Sequence, residues 1–280
     1  MRALWFEDVG QLIWREVEDL VVTHPLEAIV RPVASTTCDL DRAIVHGLVP
    51  LGNGFPIGHE CVAEVLEVGS AVHRVAVGDL VVVPWHISCG VCPPCRKALP
   101  TACTTVPGLQ GYGASIAGDW GGLFSEQARV PYADAMLTRL PPGVEPAAAA
   151  AVSDNLTDAF VCVTRGLSRH PGARVLVVSS LPSLGLFAVD QAMAAGPGRS
   201  TTSIGAVGAG MWPKPWAPMW GLKWTPVPNI CNTRSSSAPP ATVGFCVRLC
   251  CVWRPAGTCP TRGCSLLIPR CRCGRCTSET

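Results

Sequence analysis

Cys89-Gly90-Val91-Cys92-Pro93-Pro94-Cys95, followed by Cys103, is the stretch from which the rest of the chain is read. Three cysteines at intervals of three, with a fourth eight residues on, can wrap one loop around a tetrahedral ion. Four thiolates close the coordination shell against water, which describes a structural zinc site. The rival reading, a redox Cys-x-x-Cys, expects the motif to open a helix beside a strand, and here two prolines sit inside the cluster.

Around this lobe, from Met1 to about Glu145, short β-branched runs alternate with Gly and Pro. Glu27-Ala28-Ile29-Val30-Arg31-Pro32-Val33, Cys61-Val62-Ala63-Glu64-Val65-Leu66-Glu67-Val68-Gly69 and Asp79-Leu80-Val81-Val82-Val83-Pro84 are examples. The pattern predicts a β-rich domain over residues 1–150 with functional loops. Ala147 to Leu167 reads as mostly helical and connects to a second unit over 151–199. There an apolar strand, Gly172 to Ser180, leads through a tight turn into an apolar helix, Ser183 to Gly196. Strand, turn and helix in that order open a doubly wound α/β sheet.

Composition changes near residue 200. The net charge of +2 over 280 residues conceals 19 acidic and 13 basic residues up to Arg199, against nine basic residues and the single acid Glu279 afterwards. Nine of the sixteen cysteines and five of the nine tryptophans lie in that last segment. Trp212-Pro213-Lys214-Pro215-Trp216-Ala217-Pro218-Met219-Trp220 has no regular periodicity, and its prolines forbid a central element. Residues 200–280 are therefore expected to be an irregular or disordered tail with the composition of an out-of-frame translation of a high-GC gene. The dense Cys271-Arg272-Cys273-Gly274-Arg275-Cys276 and Cys246/Cys250/Cys251 lack the paired knuckles of a zinc ribbon. The scattered basic residues form no face or run, which argues against nucleic acid as a partner. No apolar run approaches the roughly 18 residues of a membrane span, and the N-terminus lacks the layout of a signal peptide. The expected compartment is the cytoplasm, where cysteines serve as metal ligands or reactive thiols.

A second constellation joins Cys38 to Gly58-His59-Glu60. Thiolate, imidazole and a nearby carboxylate suit a catalytic zinc that keeps one position open. The ordered set Cys38, Gly58-His59-Glu60, Gly69, Val72, Gly78-Asp79 and Cys89/Cys92/Cys95/Cys103 resembles the N-terminal catalytic domain of the zinc-dependent medium-chain alcohol dehydrogenases. The likeness continues through Gly121-Gly122-Leu123-Phe124-Ser125-Glu126 into the strand-turn-helix. It implies a GroES-like β-rich domain with two zincs, followed by a Rossmann-type domain, incomplete here, that binds NAD or NADP. It also implies a small-molecule alcohol or carbonyl substrate and a homo-oligomer paired through an intact Rossmann domain.

Carried over by position, Cys38 and His59 ligate the catalytic zinc, with Glu60 binding directly or from behind the ligands. The third ligand is expected at Ser153-Asp154-Asn155, where Asp154 is chosen; Asp158 is the fallback, and a plain helix cap the alternative. Asp41 matches an acidic position that orients the ligands. Two residues depart from the pattern. Leu40 stands where many relatives relay the alcohol proton through Ser or Thr, leaving His46 or water for that task, and Ala63 stands where Gly is expected. The cofactor turn, with Ser180, Pro182, Ser183 and Gly185 as its candidate residues, keeps only the last glycine of a dinucleotide fingerprint. Two functions follow: a zinc-dependent alcohol dehydrogenase with a degenerate but usable turn, or a truncated zinc-binding pseudoenzyme that has lost its nucleotide site.

Overall fold

The β-branched runs become strands because alternate side chains can be buried against a common core. The computed structural model describes residues 1–106, 108–172, 174–179, 182–195 and 244–249. In chain order its strands and helices are β1 (Arg2–Asp8), β2 (Gln11–Glu16), β3 (Ala28–Ser35), α1 (Asp39–Val45), β4 (Phe55–Pro56), β5 (Cys61–Val68), β6 (Leu80–Val83), α2 (Pro93–Arg96), β7 (Ala128–Val130), α3 (Ala133–Met136), β8 (Thr138–Arg139), α4 (Pro146–Ala149), α5 (Asn155–Arg169), β9 (Arg174–Ser179), α6 (Pro182–Ala194) and β10 (Gly244–Leu249).

A five-stranded antiparallel sheet runs β7-β3-β5-β6-β8, and a three-stranded sheet runs β2-β1-β4. Val30, Val65, Val81, Val83 and Leu123 are fully buried in the main cluster, which also holds the buried Cys89, Cys92 and Cys103, with the partly buried Cys95 packed against it. Ala63 is buried in β5 opposite Pro32 and Val81, so its methyl is accommodated by the sheet. A smaller cluster of Phe6, Ile44, Phe55 and Ile57 anchors α1 to β1 and β4.

Register brings the sequence-distant site residues together. β3 ends at Ser35 directly opposite Cys61, where β5 begins. The chain leaving β3 reaches Cys38 within three residues, and the chain entering β5 passes through His59 and Glu60. The backbone of Thr36 donates to the Glu60 carbonyl at 3.2 Å, fastening the two segments. Gly58 is required just before them: its φ is +100°, and a Cβ there would lie 2.7 Å from the backbone nitrogen of Phe124.

The second unit packs α5 and α6 against β9. Ala159 and Val163 meet Val175 and Val177 and then Leu184, Ala188 and Ala192 in one buried cluster. Gly185 lets α6 approach closely, since a Cβ there would stand 3.0 Å from Cβ of Ser179. β10 lies parallel to β9, from Gly244 opposite Arg174 to Leu249 opposite Ser179. Of the segment 200–280, read as an irregular tail, only these six residues are among those described, and they form a strand. The architecture is α/β: a β-rich antiparallel part, then a parallel strand pair flanked by helices. Among the described residues no helix is long and apolar enough to cross a membrane.

Candidate active site and metal centres

Cys38 is the N-cap of α1, and a reciprocal capping arrangement with Asp41 fixes it. The Cys38 amide donates to Asp41 Oδ2 at 2.9 Å, while the Leu40 amide donates to Cys38 Sγ at 3.1 Å. The other Asp41 oxygen lies 3.2 Å from His59 Nδ1. This ion-pair contact assigns Nδ1 to the carboxylate and turns Nε2 toward the sulfur, the orientation that a metal-ligating imidazole needs. Nε2 stands 3.0 Å from Cys38 Sγ and 3.5 Å from Asp154 Oδ2. The three donors lie within 4.8 Å of one another. A tetrahedral zinc at ordinary bond lengths would separate such donors by about 3.3–3.6 Å.

Asp154 occupies the N-cap position of α5, yet its side chain makes no capping hydrogen bond. It is turned to the site instead. Asp158 is not part of the group and sits a turn further on, its carboxyl raised by burial and by Asp154. Glu60 is also outside the donor group. Its Oε1 accepts from the Asn155 amide at 3.0 Å and from Asn155 Nδ2 at 3.3 Å, while its buried Oε2 has no partner among the described residues. Burial pushes this carboxyl up to about 7, the Asn155 amide opposing and Asp154 reinforcing the shift.

The electrostatics favour a cation at this point. Burial alone would push the His59 imidazole down, but Asp41, Asp154 and Cys38 together hold it well above its ordinary value. Of these, Asp154 and Cys38 face Nε2 and are the groups that would hold a divalent ion there, while Asp41 faces Nδ1. Burial raises the Cys38 thiol, and His59 opposes it.

The lobe of Cys89, Cys92, Cys95 and Cys103 forms a second group, again with all four sulfurs within 4.8 Å. Cys92 and Cys103 are 3.8 Å apart, and Cys103 and Cys89 are 3.6 Å apart. These separations are far from a disulfide length of about 2 Å and match the edge of about 3.8 Å of a tetrahedron of zinc–sulfur bonds. All four are free thiols. Backbone amides of Cys95 and Thr104 lower the Cys92 thiol, while burial and the neighbouring Cys92 and Cys103 raise that of Cys95. A recess of about 570 Å³ beside the lobe is lined by Trp85, His86, Thr101, Cys103 and Leu109; it contains none of Cys38, His59 or Asp154.

Of the cofactor-turn residues, Pro182 opens α6, Ser183 follows it, and Gly185 packs on Ser179; Ser180 lies outside the described residues. His46 closes α1 on the exposed side, and Leu40 is 38% exposed.

Residues 24–142 match the alcohol dehydrogenase GroES-like domain family. The chain is 31% identical over 192 residues to a probable zinc-binding alcohol dehydrogenase of Mycobacterium tuberculosis, spanning 69% of this chain and 48% of that one. Residues 24–142 therefore carry the GroES-like domain of the alcohol dehydrogenases. The chain is also 39% identical over 116 residues to a glutathione-independent formaldehyde dehydrogenase of Pseudomonas aeruginosa, covering 40% of the chain and 29% of the relative. Among solved structures it is similar to the alcohol dehydrogenase TADH of Thermus sp. ATN1, with a TM-score of 0.65 and 34% identity over 72% of this chain and 57% of that one. The chain thus spans less than two thirds of the length of each of these relatives.

Two contacts escaped sequence reasoning. Asn155 holds Glu60, and Asp39 reaches Ser183. Asn155 was in view beside Asp154, but only the fold places it against a residue 95 positions earlier.

Proposed function

We propose that this chain is a zinc-dependent oxidoreductase that interconverts an alcohol and its aldehyde or ketone, with NAD or NADP as the hydride partner. The convergence of Cys38 Sγ, His59 Nε2 and Asp154 Oδ2 carries this reading. Three donors leave a tetrahedral ion one open position, whereas the four-thiolate lobe leaves none. One zinc would sit in each, the first catalytic and the second structural. Bound among Cys38, His59 and Asp154, zinc supplies Lewis acidity to a substrate oxygen.

The chain's own residues prepare that position. Asp41 holds the Cys38 loop through one oxygen and faces the imidazole Nδ1 with the other. The Leu40 amide stabilises negative charge on the Cys38 sulfur. Glu60, clamped by Asn155, holds the start of α5 so that Asp154 faces His59. Residues 1–150 are read as the catalytic domain and 151–199 as the start of the cofactor domain, through which two copies would pair. Cys38, Cys61, Cys89, Cys92, Cys95, Cys103 and Cys162 are free thiols, which accords with a reducing, cytoplasmic setting.

The nicotinamide turn fits its ligand less well. Pro182 offers no amide, and Ser183 already serves Asp39. The same observation favours a second reading, a zinc-binding pseudoenzyme without cofactor affinity. Purified chain should contain zinc and show alcohol-dependent NAD(P)H formation, lost in H59A. Zinc content without turnover of any short alcohol or aldehyde, and without NADH binding, would replace the enzyme reading by the second one.

A further inference from the structure

The N-terminus of α6 is already engaged. Pro182 has no amide hydrogen, so the first donor of the helix is the Ser183 amide. That amide and the Ser183 hydroxyl both donate to one oxygen, Oδ2 of Asp39, at 2.9 and 2.6 Å. Asp39 opens α1, next to Cys38, and is 144 residues away in the chain. Both partners are partly buried.

A strand-turn-helix of the dinucleotide type aims this helix end at a pyrophosphate, because free amides and the helix dipole attract negative charge. Here a carboxylate from the β-rich part stands in that place. The contact uses the two donors that α6 begins with, and charge-assisted bonds of this length are the stronger kind. A phosphate arriving at Ser183 would meet both a missing donor pair and a like charge.

We propose that Asp39 is an internal anion that occupies the phosphate seat at Ser183, and that a dinucleotide binds only by displacing it. The contact then acts as an autoinhibitory clasp between the zinc-binding part and the cofactor turn. It rests on the nicotinamide reading above and adds a device that sets cofactor affinity.

The test is calorimetric titration of the zinc-loaded full chain, wild type, D39A and D39N, with NADH and with ADP-ribose. Zinc content and the melting transition establish that each variant is folded. D39A is expected to bind both probes at least about ten-fold more tightly than wild type, the scale of a removed charge and a freed donor pair. D39N, which keeps the shape but not the charge, should move the same way by less and covers the case of a poorly folded D39A. A further S183A change in the D39A background should return the affinity toward that of wild type. Equal NADH and ADP-ribose affinity in wild type and D39 variants overturns the clasp and leaves the nicotinamide reading standing. Absence of binding in every variant overturns both.

Discussion

Asp154 supplies one donor to a group whose other members lie on a different part of the fold, so its removal should be read in metal content. D154A is expected to lower bound zinc by about one ion per chain while the cysteine lobe keeps its own; elemental analysis of the purified variant checks this. D158A should leave the content unchanged, and the opposite result would move the ligand one turn along α5. A second residue-scale prediction concerns Glu27, which is buried and accepts from Arg129 Nη1 at 2.6 Å, from the His24 amide at 2.9 Å and from the Thr23 amide. Burial opposes ionisation, but Arg129 and the two amides prevail and hold the carboxyl below its ordinary value. A depressed carboxyl stabilises the fold above its unfolded pKa of about 4.3 and loses that contribution as pH falls through the folded value. Wild type should therefore melt progressively earlier below about pH 4.3, and E27Q should flatten that acid limb at a cost of about 1–3 kcal/mol at neutral pH. At this scale much of the grouping was legible: the four lobe cysteines stand in a spacing that suits one ion, and the resemblance paired Cys38 with His59, which the fold brings together. The Glu60–Asn155 and Asp39–Ser183 pairs were not, because each joins residues whose proximity only the register and the packing of α5 and α6 create.

At the scale of the element, the lobe from Cys89 to Cys103 contains only the short α2 and a single 3₁₀ turn, Pro100–Ala102, with no strand of its own. Its cohesion depends on what joins the four sulfurs. C103S is expected to open this segment to protease and to cost on the order of 4 kcal/mol, which for a chain of this size is a melting shift of roughly 8–16 °C. Chelation of the wild type should approach the same state; a melting curve indifferent to both would refute a structural metal. The turn before His59 is equally exacting. G58A would place a side chain at φ +100° against Phe124, with a backbone cost of about 1–3 kcal/mol, and should displace His59 enough to weaken the first zinc. The strands of the β-rich part were readable from their β-branched runs, because burial on one face imposes alternation. β10 was not readable: Phe245, Val247 and Leu249 do alternate with Cys246 and Arg248, but the surrounding composition marked the whole stretch as irregular.

At the scale of the molecule, two units share one site. The sheet β3–β5 brings Cys38 and His59, and α5 brings Asp154. A cation that binds the docked arrangement more tightly than the undocked one must favour docking by the same factor. Removing zinc from the first site should accordingly speed amide hydrogen exchange in the opening turn of α5, at Asn155 and Leu156, while β5 remains protected; mass spectrometry of the exchanged peptides reads this directly. Uniform exchange with and without metal would show the two units to be independently seated. An ion held by Cys38, His59 and Asp154 would thus be a rivet as well as a Lewis acid. Any change that loosens the joint, even far from the donors, becomes a change in metal affinity, and metal scarcity becomes a mechanical event in the protein.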